Sequence, residues 1–127
     1  MHRSSMDLPA VFDSPQGTWR MTEWEGMNVE YMSFRQEVDP AQLLNFRPDS
    51  LCPCPHWGYV IKGQVRFVFA DHEEICTAGD VCYVAPGHRP VFAANTEFVA
   101  ISQAEAYRPV IEAIKQTLAA RVQQTTG

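Results

Sequence analysis

The segment HWGYVIKGQVRFVFADHEEICTAGDVCYVAPGHRP, residues 56–90, decides the fold, because turn residues interrupt it at short and nearly even intervals. Short apolar runs alternate with turn signals at 62–63, 71–72, 78–80 and 86–87. Strands this short and this closely spaced are typical of an antiparallel sandwich or a small barrel. The segment therefore predicts a mainly all-β protein.

The run QVRFVFA shows which side of these strands faces a core. Alternation places Val65, Phe67 and Phe69 on one face and Arg66 and Val68 on the other. One packed face and one mostly wet face are expected of an antiparallel sheet. The predicted sheet therefore has an interior.

The flanking sequence extends this pattern in both directions. Residues 18–25 and 27–38 suit two half-buried strands that turn at 25–26, whereas 39–50 carries two prolines and suits a connection with one short helical turn. Further strands are predicted at 90–94 and 97–102, with a turn at 95–96. The first seventeen residues, rich in Pro, Ser, Asp and Gly, are interpreted as a flexible arm, 1–17.

The periodicity changes after the last predicted strand. Val110, Ile111, Ile114, Leu118 and Val122 recur at steps of three and four residues, and a proline stands near the start of this run. Such spacing predicts an amphipathic helix over 108–122. Its apolar stripe is expected to cover an open end of the sheet or a partner subunit.

Length and charge narrow the classes of function. The 127 residues suffice for one core and are too few for two domains. A net charge of −5 without a basic stripe argues against nucleic acid as a partner, and no long apolar run argues for a membrane. The N-terminal residues lack the apolar core of a signal peptide, so we expect a cytoplasmic protein whose four cysteines are thiols.

The stretch CPCPH, residues 52–56, raises the question of a metal site. On an extended chain Cys52, Cys54 and His56 share one face. A flat strand would separate the first and last of them by roughly 13 Å, too far for both to bind one ion, so a bend is required. Two prolines, which cannot donate ladder hydrogen bonds, make such a bend plausible.

His88, after the turn at 86–87, is the candidate for a fourth ligand. With Cys52, Cys54 and His56 it would complete a set of two thiolates and two imidazoles, which suits tetrahedral zinc. The alternative is a metal-free pocket, since free cysteines are commonly buried as small hydrophobic residues. Cys76 and Cys82 are interpreted as such core thiols.

The motifs PHWGYVIKGQV, from Pro55, and AGDVCYVAPGH, from Ala78, resemble the two motifs of the cupin superfamily. The resemblance implies that residues 18–127 form a single cupin-like domain. This would be a small antiparallel β-barrel, or jelly roll, with a C-terminal amphipathic helix. It also implies a metal inside the barrel and association as a homodimer. The usual ligands differ here: His56 stands at the glutamate of the first motif, Cys52 at its second histidine, and Pro90 at the histidine of the second motif, with His88 two residues earlier.

Two functions remain open at this point. The first is a metal-binding cupin with a small-molecule pocket, holding zinc or else iron, copper or nickel, with no reaction assigned and with Tyr59 and Tyr83 as candidate cofactor-binding proton donors. The second is a metal-free or thiol-redox-responsive module that senses a small ligand. Dimerisation through the exposed sheet and the helix is expected in either case.

Overall fold

The computed structural model describes the backbone of residues 1–45 and 47–126 and the side chains up to residue 121. Within these residues the chain forms short 3-10 turns, at Ser5–Asp7 and Pro40–Leu43, besides nine strands and one helix. The elements are β1 (Ala10–Ser14), β2 (Gly17–Trp24), β3 (Met27–Phe34), β4 (His56–Lys62), β5 (Gln64–Phe69), β6 (Glu73–Thr77), β7 (Val81–Val84), β8 (His88–Phe92), β9 (Thr96–Gln103) and α1 (Ala104–Thr126).

The strands form two antiparallel sheets. The larger has the order β1-β2-β3-β9-β4-β7, and the smaller has the order β6-β5-β8. Their inner faces carry the core, which includes Val60, Val65, Phe67, Val84 and Phe98. The all-β jelly-roll architecture expected from the sequence is confirmed.

Local turn chemistry explains why the predicted strands end where they do. Glu25 and Gly26 both have positive φ, 50° and 80°, as a two-residue type I′ hairpin requires between β2 and β3. In β5, Val65 and Phe67 are buried while Arg66 is half-exposed, as alternation predicted. These two predictions are confirmed.

Near both ends of the chain, regular secondary structure covers more residues than the sequence predicted. Within the predicted arm, 1–17, β1 pairs with β2. Helix α1 contains the predicted segment 108–122 and begins one turn earlier, directly after β9, where the amide of Ala104 donates to the carbonyl of Gly26. Its buried side chains, Tyr107, Val110, Ile111 and Ile114, belong to the same hydrophobic core as the strands.

The chain passes from the larger sheet to the smaller at Gly63, which has a φ of 81°. A Cβ there would lie 2.7 Å from both Thr96 Cα and the Asn95 carbonyl oxygen. At Gly79, with a φ of 93°, a Cβ would meet no atom within 4 Å. Both glycines have a backbone conformation that would be strained in a residue with a side chain. They differ in the space around them.

Gly63→Ala is therefore expected to lower the free energy of unfolding by about 2 kcal/mol more than Gly79→Ala, because only Gly63→Ala adds crowding to backbone strain. Urea unfolding of both variants measures the difference. Equal losses would show that the backbone around Thr96 yields, contrary to this expectation.

Candidate metal centre and ligand cavity

Backbone pairing brings the two halves of the candidate site together. Cys52 forms an isolated antiparallel bridge with His88, in which the amide of Cys52 donates to the carbonyl of His88 at 2.6 Å. The amide of Gly87 donates in turn to the carbonyl of Cys52 at 2.8 Å. The bend after 52 then returns the chain to the larger sheet, where β4 begins at His56.

Three buried side chains converge at this point: Cys52, His56 and His88. One ligand atom from each lies within 4.8 Å of the others, and Cys52 Sγ is 3.6 Å from His56 Nε2. Two ligands of one tetrahedral zinc ion, with Zn–S near 2.3 Å and Zn–N near 2.0 Å, are about 3.5 Å apart. The donor set thus fits a transition metal in its chemistry, and the pair of Cys52 and His56 also fits in its spacing.

Hydrogen bonds orient both imidazoles toward the cluster. His88 Nδ1 donates to the carbonyl of Ala85 at 2.8 Å, which leaves Nε2 as the ring nitrogen with a free lone pair. His56 Nδ1 is hydrogen-bonded to Ser102 Oγ, and its Nε2 faces Cys52. Such bonds on the far nitrogen fix ring orientation in metal sites.

The protonation states of these groups follow from their burial. Desolvation, together with the neighbouring imidazole of His88, lowers the pKa of His56 to about 3, and burial also lowers the pKa of His88. Both rings are therefore neutral near pH 7, as metal ligands must be. The hydrogen bond with Cys54, and then burial, raise the pKa of the Cys52 thiol, so metal binding there would release a proton.

Cys54 lies beside this cluster and is directed elsewhere. Its Sγ donates to the carbonyl of Ala106 in α1 at 3.1 Å, and the hydrogen bond from Cys52 lowers its pKa. The structure thus brings together three of the four predicted metal ligands. It places the fourth predicted ligand, Cys54, against the helix.

Tyr59 and Tyr83 lie on the outer face of the larger sheet, 46% and 57% exposed. The next residue in each strand, Val60 in β4 and Val84 in β7, points into the core. The tyrosines are therefore on the opposite side of the sheet from the cluster, because neighbouring residues in a strand point to opposite faces. Their position does not support a cofactor-binding role.

A cavity of about 100 Å³ adjoins the cluster between the two sheets and α1. Cys52, His56 and His88 line its polar end, together with Glu30 and Tyr107. The remaining wall is apolar and includes Met32, Phe34, Leu44, Phe67, Phe92, Phe98, Val110 and Ile114. A concave, mainly apolar site with a few convergent polar groups is typical of small-molecule binding.

Sequence reasoning missed Glu30, the buried carboxyl of this cavity. Oε2 of Glu30 accepts hydrogen bonds from Trp19 Nε1 at 2.7 Å and from the Tyr107 hydroxyl at 3.2 Å. Burial raises its pKa to about 7 against the opposing effect of these two bonds. The signal was present in β3, where strict alternation puts Glu30 on the same face as Met32 and Phe34.

Comparisons with solved structures identify the class of fold. An RmlC-like cupin from Shewanella frigidimarina superposes with a TM-score of 0.56 at 15% identity, over 80% of this chain and 89% of that one. The polyketide cyclase RemF from Streptomyces resistomycificus gives 0.53 at 14% identity, over 80% and 78%. An oxalate decarboxylase from Bacillus subtilis, which has Mn(II) centres, gives 0.53 at 17% identity, over 80% of this chain and 28% of that one.

The double antiparallel sheet with a site between its layers is thus a jelly roll. The chain has the cupin fold, as the two sequence motifs implied.

The family described as the AraC-like ligand binding domain matches residues 55–97. This segment, less than half of the chain, includes His56 and His88 and begins after Cys52. No curated protein matches the sequence at a significant level. Within the described residues, no helix combines the length and the apolar character needed to cross a bilayer.

Proposed function

We propose that this chain is a metal-binding cupin that takes a small molecule in the cavity beside the ion. The observation that carries the proposal is the convergence of Cys52, His56 and His88 at the polar end of an otherwise apolar cavity. A ligand in that cavity would lie next to the bound metal.

Zinc is the metal that this donor set favours, because thiolate and imidazole are its usual ligands. Iron, copper and nickel also bind imidazole and compete for such a site. Three protein ligands would leave a coordination position for water or for the ligand, as in catalytic rather than structural zinc sites. When bound, the ion would act as a Lewis acid toward an oxygen atom placed in the cavity.

Metal analysis tests this proposal directly. Protein reconstituted with zinc under reducing conditions and then dialysed is expected to retain about one equivalent per chain. Less than about a tenth of an equivalent would remove the metal from the proposed function.

A thiol-redox-responsive module is the second candidate. It is favoured by the hydrogen-bonded pair of Cys52 and Cys54, since a lowered pKa at Cys54 promotes thiolate chemistry. The burial of both thiols, at 4% exposure each, opposes reaction with solvent oxidants. Metal binding is therefore the stronger candidate.

The proposed location is the cytoplasm, where thiol ligands stay reduced.

We also propose that the chain forms a homodimer through an outer apolar face of the larger sheet. This outer apolar face consists of the exposed side chains Trp57, Tyr59, Ile61, Val81, Tyr83 and Ile101. They lie on β4, β7 and β9, and strand pairing places Trp57 beside both Tyr83 and Ile101. Contiguous exposed apolar patches of this kind mark interaction sites in soluble proteins.

Tyr59→Arg is expected to weaken such a dimer at least about 100-fold, because it would bury an unpaired charge at the centre of the contact. Ile75→Arg is the matched control, since Ile75 is also exposed but belongs to β6 of the other sheet. Light scattering over a concentration series measures both variants. A monomeric wild-type protein, or equal weakening by the two changes, would contradict the proposed interface.

A further inference from the structure

Glu30 is a buried carboxyl for which the described residues provide no cationic partner. It is 3% exposed and lies on the inner face of β3. In the described part of the chain no Lys, Arg or His forms an ion pair with it. A carboxyl in an apolar interior is unfavourable unless hydrogen bonds satisfy its oxygens.

The hydrogen bonds to Glu30 are unevenly distributed over its two oxygens. Oε2 accepts from both Trp19 and Tyr107, while among the described residues Oε1 has only the longer contact, 3.4 Å, with the same Tyr107 hydroxyl. A carboxylate has about four acceptor positions. Oε1 therefore keeps unused acceptor capacity, and its residue lines the cavity.

The surroundings of Glu30 indicate what its second oxygen would meet. The Tyr107 ring contacts the His56 ring, with centroids 4.9 Å apart, so a single phenol ring separates the carboxyl from the metal cluster. The rest of the cavity wall is built from rings and aliphatic chains, among them Phe34, Phe92 and Phe98. In an apolar cavity, a small number of polar groups usually fixes the orientation of the ligand.

We propose that Glu30 is a ligand-binding residue and that the cavity takes a small, mainly apolar molecule, of about one ring, whose O–H or N–H donates to Glu30 Oε1. The inference rests on the proposed function in so far as it concerns the same cavity. It adds a second polar anchor, separate from the metal cluster, and a ligand class. A volume of about 100 Å³ limits the ligand to about one ring, since an apolar cavity of about 150 Å³ binds benzene.

The experiment compares phenol with fluorobenzene, two rings of similar shape of which only phenol donates a hydrogen bond. Their dissociation constants are measured by calorimetry at pH 8.5, where the Glu30 carboxyl is mainly ionised, in metal-free wild-type protein and in the Glu30→Leu and Glu30→Gln variants. Phenol is expected to bind wild type at least about tenfold more tightly than fluorobenzene, because a donor to a charged or strongly polar acceptor adds that much.

In Glu30→Leu this ratio is expected to fall below about threefold, with fluorobenzene affinity little changed. Glu30→Gln, which keeps an oxygen acceptor and the shape of the side chain, should give an intermediate ratio. A preference for phenol that survives in Glu30→Leu overturns the inference, as does wild-type protein that binds phenol no better than fluorobenzene.

Zinc-loaded protein separates this inference from the proposed metal site. A phenol preference that arises only with zinc and persists in Glu30→Leu would assign the hydroxyl to the metal and would overturn the role of Glu30. If the wild-type chain retains no zinc yet shows the Glu30-dependent preference, the metal proposal fails and the inference stands.

Discussion

Cys52→Ser is expected to lower the zinc affinity of the chain at least about 100-fold, whereas Cys54→Ser leaves it within about threefold of wild type. The two substitutions are matched, because both replace a thiol with a hydroxyl and both thiols are 4% exposed. Only Cys52 has its sulfur beside an imidazole nitrogen of the cluster, while Cys54 is bonded to the helix. Loss of a group that is hydrogen-bonded to a ligand lowers affinity 10- to 100-fold, and loss of a ligand exceeds that range. The serine of Cys54→Ser keeps a hydroxyl that can take over the hydrogen bond with Cys52, so a small effect is expected there.

Competition with a chromophoric chelator under reducing conditions measures these affinities. A second measurement is the free energy of unfolding with and without zinc, which should rise by about 4 kcal/mol at a zinc concentration 1,000 times the dissociation constant. This stabilisation should disappear in Cys52→Ser and persist in Cys54→Ser. Equal losses in the two variants would make Cys54 a ligand and would contradict the observed three-residue cluster.

The fold could be predicted because its signals are local. The turns at 25–26 and 62–63 each contain a glycine with positive φ, and each ends a strand at the residue where alternation stops. The order of the strands in the sheets has no such local signal. Placing β9 between β3 and β4 pairs segments distant in the chain, and only the resemblance to cupins implied such an arrangement.

The candidate site could be predicted only in part, because alternation fails outside regular strands. Cys52, Cys54 and His56 would share a face if the chain stayed extended. In the structure Cys52 belongs to an isolated bridge with His88, and β4 begins only at His56. Cys54 lies in the bend between them and turns to Ala106, a contact that depends on where the helix packs.

Glu30 shows the opposite case, a functional candidate that alternation could have found. One charged residue on the same strand face as Met32 and Phe34 signals a buried polar group. The predicted hairpin at 25–26 places Trp19 opposite Met32 and therefore diagonal to Glu30, within reach of an aromatic side chain. Tyr107 comes from the helix, and no sequence spacing predicts that it meets Glu30.

The same carboxyl is expected to make the metal-free protein less stable as the pH rises from 4.5 to 7. Burial raises the pKa of Glu30 from 4.5 in the unfolded chain to about 7 in the folded one. Between these values the folded state holds a proton that the unfolded state has released, so stability falls with increasing pH. Each unit of pKa difference corresponds to about 1.4 kcal/mol, which gives a total loss of about 3 kcal/mol.

Glu30→Gln isolates this contribution, because glutamine keeps the shape of the side chain and does not titrate. The difference in unfolding free energy between wild type and Glu30→Gln is measured by urea unfolding from pH 4 to 8 in the presence of a chelator. His56 and His88 titrate in both proteins, so their effects cancel in the difference. Wild type should lose about 3 kcal/mol relative to the variant between pH 4.5 and 7 and change little beyond that range.

Parallel curves would mean that the carboxyl titrates as it does in water. In that case Glu30 would be solvated in the folded protein, and the cavity would not be the dry, apolar site that selects a hydrogen-bond donor.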